Sequence, residues 1–309
     1  MDHKYISVNE YLKNRYGEKV YKLSIDAGMT CPNRDGTIGT EGCIFCSKGG
    51  SGDFTFGNDK RYSCTEEDIV CQLNKAKTLI SKKTGCSKYI AYFQPFSNTY
   101  APVNYLRRVF HAAIEQPEVV ILSIATRCDC ISDEVLSLLK ELNKIKPVWV
   151  EMGLQSVHAS TLTYIECGYT YEQFEDCVYR LNNAGIDVIA HLILGLPGET
   201  ENMMLESVDR VCSLPIKGIK LQLLHVLKDT KLAEIYKAEP FHIMSMDEYC
   251  TLVIKCVEHI PYGMIIHRMT GDGPRRLLIE PGWSTDKKRV LNTLKHMLNE
   301  ENAGDILSE

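Results

Sequence analysis

The alternation of strand-like and helix-like segments is the feature that most narrows the fold of this chain. Six segments have the composition of strands: residues 20–26, 88–96, 119–126, 148–155, 186–194 and 217–225. The third is continuous and β-branched, as a strand covered on both faces would be. Each strand but the last is followed by a helix before the next strand, and this order requires a parallel sheet with right-handed crossovers.

Apolar stripes and helix caps support the same assignment. Leu106, Val109, Phe110 and Ala113 follow the i, i+3, i+4, i+7 spacing of one helix face. Side chains that can cap a helix precede three of the predicted helices: Thr65 with Asp68, Ser132, and Thr170 with Gln173. The helices that separate the strands therefore have defined starting points.

The predicted sheet should curl into a barrel. We expect an α/β fold, a partial (β/α)6 TIM-type barrel over residues 1–226, with its chemistry on the loops that follow the C-terminal strand ends. A doubly wound open sheet is the alternative, although no Gly-x-Gly-x-x-Gly turn follows the first strand. Beyond residue 226 the alternation fades into helices at 231–237 and from Ser245, a short strand near 264–267 and a basic terminal helix. Residues 227–309 are predicted to be a C-terminal α/β extension packed on the barrel.

Length and composition bound the class of protein. The 309 residues are 44% hydrophobic and 24% charged, which suits a large barrel and excludes a disordered or collagen-like chain. No stretch approaches the roughly 18 apolar residues of a membrane span, and no apolar signal segment follows the N-terminus. We therefore expect a soluble cytoplasmic protein with no membrane partner. The formal charge of −5 means that RNA binding would need a local basic patch.

Three of the thirteen cysteines form a motif in the loop after the first predicted strand. Cys31, Cys43 and Cys46 have the spacing C-x11-C-x2-C, and we call residues 31–46 the cluster loop. Structural zinc and electron-transfer clusters normally take four ligands, so three thiolates suggest a [4Fe–4S] cluster with one iron left open. Zinc completed by Cys64 or a histidine such as His111 is the alternative.

Five segments in order carry a resemblance over nearly the whole chain. They are KLSIDAGMTCPNRDGT at 22–37, QPFSNTYAP at 94–102, EMGLQS at 151–156, HLILGLPGE at 191–199, and the stretch 267–283. Together with the cluster loop, they resemble the radical S-adenosylmethionine (SAM) superfamily, and more narrowly a bacterial subfamily related to the elongator catalytic subunit. The cluster loop alone would be moderately specific, whereas the five segments in order are highly specific.

The resemblance implies the cofactors and the reaction type. Cys31, Cys43 and Cys46 would hold a [4Fe–4S] cluster whose open iron takes the amino and carboxylate groups of SAM. One-electron reduction, by a donor such as flavodoxin or ferredoxin, would cleave SAM to methionine and a 5′-deoxyadenosyl radical that abstracts hydrogen from a substrate. The resemblance assigns no catalytic side chain.

The resemblance also implies which residues hold SAM. The candidates are Phe45 beside the cluster, Gln94, Ser97 and Asn98 toward the methionine amino group, Glu151 and Gln155 toward the ribose, His191, and Leu196 toward the adenine. Glu151 and Gln155 alternate onto one strand face, where inward polar groups need a ligand or a partner. A self-contained hydrogen-bond network is the alternative for these two, and a buried structural role is the alternative for His191.

One departure from the family pattern affects the SAM carboxylate. Relatives carry arginine at the position of Cys167, and a thiol cannot supply that bidentate charged contact. Arg127 is our candidate for its replacement, which leaves Cys167→Arg expected to be tolerated. A structural ion pair of Arg127 with Asp129 or Glu151 is the alternative.

The resemblance points to tRNA as substrate, and to a wobble uridine with a carboxymethylaminomethyl side chain. Arg268, Arg275, Arg276 and Trp283 are the candidate RNA contacts, in a basic stretch with Tyr262 nearby. A solvated charged face is the alternative for this stretch. Two other functions stay open: a radical enzyme acting on a small metabolite or peptide, and a non-catalytic iron–sulfur or zinc binding module.

Overall fold

A computed structural model describes residues 5–50, 61–81, 85–271 and 273–306 of the chain. The outermost residues of both predicted domains, 1–4 and 307–309, therefore lie outside the described part. Eight parallel strands form one curled half-barrel in the order β1-β9-β7-β6-β5-β4-β3-β2. These strands are β1 (Ile6–Ser7), β2 (Tyr21–Ile25), β3 (Tyr89–Phe93), β4 (Val119–Thr126), β5 (Val148–Gln155), β6 (Asp187–Leu194), β7 (Gly218–Leu223) and β9 (Ile265–Arg268).

The helices cross over between successive strands and beyond them. They are α1 (Val8–Tyr16), α2 (Glu66–Ser81), α3 (Val103–Ile114), α4 (Asp133–Asn143), α5 (Ala159–Tyr164), α6 (Tyr171–Asn183), α7 (Glu201–Cys212), α8 (Lys231–Ala238), α9 (Met246–His259) and α10 (Lys287–Ile306). A separate antiparallel pair, β8 (Val226–Leu227) with β10 (Leu278–Glu280), follows the half-barrel. The predicted α/β half-barrel with a C-terminal α/β extension is confirmed.

Two strands extend the predicted set of six. The strand expected near residues 264–267 is present as β9, where Ile266 pairs with Ile219 of β7 in the main sheet. The other, β1, pairs with β9 at the edge and contains only two residues. The division of the chain at residue 226 stays a prediction.

Local side-chain chemistry sets where several helices begin. Ser132 accepts a hydrogen bond from the backbone N–H of Val135 at 3.3 Å, as the sequence predicts for α4. Thr170 and Gln173 form a reciprocal capping box at the start of α6. Each cap satisfies N–H groups that would otherwise lack a partner at a helix start, which favours these helix boundaries.

The alternation of side chains along each strand divides the core into two parts. Val148, Val150, Met152 and Leu154 of β5 join the large core cluster that includes the buried side chains of the outer helices. Trp149, the next residue in the chain after Val148, belongs instead to a smaller apolar cluster inside the half-barrel.

This smaller cluster, which we call the plug, fills the N-terminal end of the half-barrel. It consists of Leu12 from α1 with Val20, Ile90, Ile121, Trp149 and Ile189. The strand members come from the first half of each strand or just before it. Further along the same strands, the inward residues include Ser24, Glu151 and His191, so the interior becomes more polar toward the C-terminal ends.

None of the described helices is both long enough and apolar enough to cross a membrane.

Candidate functional site

A cavity of about 470 Å³ lies at the C-terminal end of the half-barrel, between the strand ends and the cluster loop. Its wall contains these sequence-predicted residues: Cys31, Cys43, Phe45, Cys46, Gln94, Ser97, Arg127, Glu151, Gln155, His191 and Arg268. The fold therefore brings residues from six separate segments to one cavity, at the end where parallel barrels place their chemistry.

Backbone bonds shape the cluster loop. The N–H of Arg34 donates to the carbonyl of Cys31 at 2.8 Å, and the N–H of Cys46 donates to the carbonyl of Cys43 at 2.9 Å. Arg34 also donates from Nη2 to the carbonyls of Cys46 and Ser47. Gly42, at φ +81°, lies against this guanidinium, since a Cβ there would be 2.9 Å from Nε of Arg34. The loop thus depends on the conformational freedom of glycine at position 42.

The three loop thiols fit an iron–sulfur cluster. Cys31, Cys43 and Cys46 are partly buried, form no disulfide and face the cavity. Within the described ranges, no three His, Cys, Asp or Glu side chains form a site for a single metal ion. The thiolates of a cubic cluster bind different iron atoms and need not converge on one point, and soft thiolates suit iron–sulfur clusters. Burial raises the pKa of Cys43 to about 12, with a further contribution from Cys46, so the thiol is protonated at neutral pH until a bound cation displaces its proton.

Arg127 lies beside the loop and is held by Asp129. Its Nε and Nη2 donate to the two carboxylate oxygens of Asp129 at 2.9 and 2.7 Å, and its Nη1 lies 3.9 Å from Sγ of Cys31. The guanidinium also stacks over the ring of Tyr169 at 4.8 Å. Burial opposes the charge, but the bonds to Asp129 outweigh it and raise the pKa of Arg127. Arg127 therefore forms the structural ion pair with Asp129, and its Nη1 is still directed toward the cavity, as a contact with the SAM carboxylate would require.

Cys167, by contrast, is not among the residues that line the cavity. Its thiol is fully buried and lies 3.4 Å from the carbonyls of Leu162 and Tyr169. An arginine at this position would place a charge among buried groups unless the loop moved. An arginine here would have to displace these contacts, and the tolerance of Cys167→Arg stays a prediction.

The residues after β3 divide between the cavity and the core. Gln94 accepts a hydrogen bond from the hydroxyl of Ser24 at 2.9 Å and, with Ser97, lines the cavity. Asn98 is fully buried outside the cavity wall, and its Nδ2 donates to the carbonyls of Pro95 and Ala125 at 2.9 Å. Leu196 is also buried outside the cavity wall.

Two non-glycine residues with positive φ border the cavity. Phe96 has φ 60° just after β3, and Gln155 has φ 76° at the end of β5. The Oε1 atom of Gln155 is buried and has no hydrogen-bond partner among the residues that the structure describes. Gly153 leaves room for this amide, because a Cβ there would be 2.6 Å from Nε2 of Gln155. A strained residue with an unsatisfied buried acceptor in a cavity wall is suited to receive a ligand hydroxyl.

Glu151 is the centre of a buried ionic network. Its side chain forms ion pairs with Lys22 and Lys220 and accepts a hydrogen bond from the hydroxyl of Ser123 at 2.7 Å. Nε2 of His191 lies 3.3 Å from the same carboxylate without hydrogen-bond geometry. The carboxylate of Glu151 is thus already bonded by the protein, as in the self-contained network that the sequence left as its alternative.

The charges in this network shift one another's protonation. Burial would raise the pKa of Glu151, but Lys22 and Lys220 outweigh it and keep that pKa well below the ordinary value. Burial, together with Lys220, lowers the pKa of His191 to about 3, so the imidazole is neutral. Burial also lowers the pKa of Lys220 to about 7, although Glu151 opposes this shift.

The sequence alone does not identify Lys22 and Lys220 as residues of the candidate site. Lysine in a strand ordinarily indicates a solvated face, but Lys220 is only 5% exposed. Lys220 alternates along β7 with the apolar Ile219 and Leu221, so it lies on the opposite face of the strand from them. This alternation is the sequence signal that could identify Lys220 as an inward residue.

The predicted RNA contacts differ in their exposure and surroundings. Arg268 lines the cavity, whereas Arg275 and Arg276 are exposed just beyond it in the chain. Trp283 packs against Tyr249, with ring centroids 5.7 Å apart, and its Nε1 donates to the carbonyl of Met244 at 2.9 Å. Tyr262 is 82% exposed but precedes β9, which places it at the opposite end of the half-barrel.

Comparison with known proteins agrees with this geometry. Residues 34–211 match the model of the radical SAM superfamily, and residues 216–300 match that of the radical SAM C-terminal domain. The Bacillus subtilis protein YtqA is 42% identical over 301 residues, covering 97% of this chain and 91% of the relative.

Two more distant likenesses concern elongator-type proteins. The tRNA uridine(34) acetyltransferase of Methanocaldococcus jannaschii is 22% identical over 164 residues, which are 52% of this chain and 30% of that protein. The structure of Elp3 from Methanocaldococcus infernus superimposes with a TM-score of 0.64 at 15% identity, covering 91% of this chain and 63% of the other, and so shares the fold. The chain therefore belongs to the radical SAM superfamily, and its cofactors are a [4Fe–4S] cluster and S-adenosylmethionine.

Proposed function

We propose that this radical SAM enzyme modifies the side chain of wobble uridine in tRNA, at a carboxymethylaminomethyl group. The observation that carries the proposal is the single cavity that joins the three loop thiols to a cationic wall containing Arg268. Arg275 and Arg276 are exposed a few residues further along the chain, where they could contact phosphates. The distant match to a protein named as a tRNA uridine(34) acetyltransferase supports the same substrate class.

In this proposal Cys31, Cys43 and Cys46 hold the cluster. Arg127 then meets the SAM carboxylate through Nη1, the nitrogen left over from its pair with Asp129. When bound, the cluster and SAM supply hydrogen-atom abstraction after one-electron reduction, with a flavodoxin or ferredoxin as the proposed donor.

Further protein groups position SAM. Gln94 and Ser97 offer polar atoms toward its amino group, and Gln155 offers its unsatisfied Oε1 to a ribose hydroxyl. Phe45 and Ile193 contribute apolar surface to the same cavity. The plug closes the N-terminal end of the half-barrel below them, which keeps water away from a reactive centre.

Nucleoside mass spectrometry of bulk tRNA from a deletion strain tests the proposal. We expect the strain to accumulate the unconverted carboxymethylaminomethyl nucleoside at the wobble position. Complementation with the wild type or with Cys71→Ala, an exposed cysteine of α2, should restore the product, whereas Cys43→Ala should not. Unaltered wobble nucleosides in the deletion strain would remove the tRNA assignment and favour a radical enzyme acting on a small metabolite or peptide.

A further inference from the structure

The cavity wall has an unequal distribution of charge. Among the described residues that line it, Glu151 is the only carboxylate, whereas Arg34, Arg127, Lys220 and Arg268 are cationic. Two of these cations, Arg34 and Arg127, belong to the end occupied by the cluster loop. The other two come from β7 and from the end of β9, which are neighbours in the sheet on the far wall.

Among the described residues, two ammonium groups share one carboxylate on this wall. Glu151 is shared between Lys22 and Lys220, and both ammonium groups lie over the ring of Tyr92, at 4.3 and 5.2 Å from its centroid. Arg268 is close enough to oppose protonation of Lys220 electrostatically. Two ammonium groups that share one carboxylate leave a net positive charge, and a buried net charge is stabilised when an anion binds beside it.

The position of Lys220 suits contact with a ligand. Its side chain is 5% exposed, and that exposure faces the cavity. Only one of its three N–H donors is needed for Glu151, so two remain for a second acceptor. The site lies deep in the half-barrel beside the plug, where the tip of a base side chain can reach more readily than the backbone phosphates of a folded RNA.

We infer that Lys220 and Arg268 form a subsite that binds a carboxylate of the substrate, with Lys220 as the residue that sets this specificity. The inference rests on the proposed function, because the carboxymethylaminomethyl group ends in a carboxylate. The subsite is distinct from Arg127, which lies beside Cys31 and serves the cofactor end of the same cavity.

Binding to the reconstituted, SAM-loaded holoenzyme tests the inference by anaerobic calorimetry with two nucleosides. The first is 5-carboxymethylaminomethyluridine, and the second is 5-aminomethyluridine, which lacks the carboxylate. We expect the wild type to prefer the first by about 30-fold or more, since a buried charged contact contributes on this scale. Lys220→Met should reduce the preference to less than about threefold, and Lys220→Arg should retain part of it.

Folding and charge are separated by two further variants. Lys144→Met removes an exposed lysine on the outside of the barrel and should keep the full preference. Glu151→Gln combined with Lys220→Met leaves no buried carboxylate without a cation, and the amide at position 151 can still accept a hydrogen bond from Lys22, which is partly exposed. This double variant should have a melting temperature close to that of the wild type and still lose the preference for the carboxylate. If either the double variant or Lys220→Met keeps that preference, the subsite is overturned.

A third probe distinguishes failure of the subsite from failure of the uridine assignment. N-methylglycine carries the amine and carboxylate without the base. If neither nucleoside binds, but N-methylglycine binds the wild type and not Lys220→Met, the subsite stands and the uridine assignment fails. If N-methylglycine and both nucleosides fail to bind the wild type, the subsite itself is overturned.

Discussion

The guanidinium of Arg127 and the carboxylate of Asp129 form a two-bond pair, with Nε to Oδ1 at 2.9 Å and Nη2 to Oδ2 at 2.7 Å. The pair fixes the plane of the guanidinium, so that Nη1 points toward Sγ of Cys31 at 3.9 Å. Asp129 therefore orients the cation beside the cluster loop and, in our proposal, prepares it for a second carboxylate.

Removal of this guanidinium should weaken SAM binding. Arg127→Ala is expected to cost about 2–3 kcal/mol of SAM binding, the scale of truncating one side of a buried charged pair. Equilibrium binding of SAM to the reconstituted enzyme measures this effect. Arg107→Ala is the matched control, since Arg107 pairs with Glu141 on the exposed surface. An unchanged dissociation constant for Arg127→Ala would place SAM elsewhere.

The cluster should depend on three cysteines out of thirteen. Replacement of Cys31, Cys43 or Cys46 by alanine is expected to abolish the electron paramagnetic resonance signal of the reduced cluster and most of the bound iron. Cys71→Ala, which changes an exposed thiol of α2, should retain both. In the wild type, the signal should shift when SAM is added. Stoichiometric zinc, or a signal indifferent to SAM, would contradict the proposed ligand set.

The neutral His191 makes the stability of the apo-protein depend on pH. Its pKa is about 3 in the folded protein and about 6.5 when unfolded, so the unfolded chain binds the extra proton between these values and stability falls as the pH falls. His191 alone would account for up to about 2 kcal/mol lost between pH 7 and pH 5. Urea unfolding at both pH values should show a smaller loss for His191→Gln than for the wild type. His259→Gln, an exposed site on α9, should show the full loss.

Trp283 should stabilise the fold more than it binds RNA. Because the indole packs on Tyr249 and donates to Met244, Trp283→Ala is expected to lower the free energy of unfolding by about 2–3 kcal/mol. Trp283→Phe should lose about 1 kcal/mol, the net value of the hydrogen bond. Tyr262→Ala, at an exposed site, should change it by less than about 0.5 kcal/mol. A loss of tRNA affinity with unchanged melting for Trp283→Ala would instead indicate base stacking.

The tRNA contact should be electrostatic and small. The slope of log affinity against log salt is expected to be about −2 to −4, because the chain is net negative and only a few cations can contact phosphates. Reversing Arg275 and Arg276 to glutamate should flatten this slope and weaken all tRNAs alike. The matched control reverses Lys13 and Lys19, exposed at the opposite end of the barrel, and should leave the slope unchanged. Equal effects of both pairs would mean that binding follows overall charge.

The sequence predicts the elements whose signals are local. The strand and helix periods, the caps at Ser132 and Thr170, and the cluster loop are all properties of neighbouring residues, and each is present in the structure. The two-residue strand β1 has no room for a period and was missed for that reason. Lys22 and Lys220 were missed because burial of a charge depends on partners from other strands, here Glu151 on β5.

Tyr262 and Arg275 are close in sequence but lie far apart in the fold. Tyr262 and Arg275 belong to one basic, aromatic stretch of the chain. Strand β9 runs between them through the sheet, so that they emerge at opposite ends of the half-barrel. Only the three-dimensional path of the chain separates the two, and no compositional signal marks it.

The plug packs Leu12 and Trp149 into the N-terminal end of the half-barrel, so that ligands enter and leave at the C-terminal end. With that end sealed, SAM and, in our proposal, the tRNA both enter at the end of the half-barrel that carries the cysteines. In that proposal a bound tRNA covers SAM and blocks its exit. Turnover should accordingly follow a fixed order, in which SAM binds before the RNA and the fragments of SAM leave after the modified RNA has dissociated.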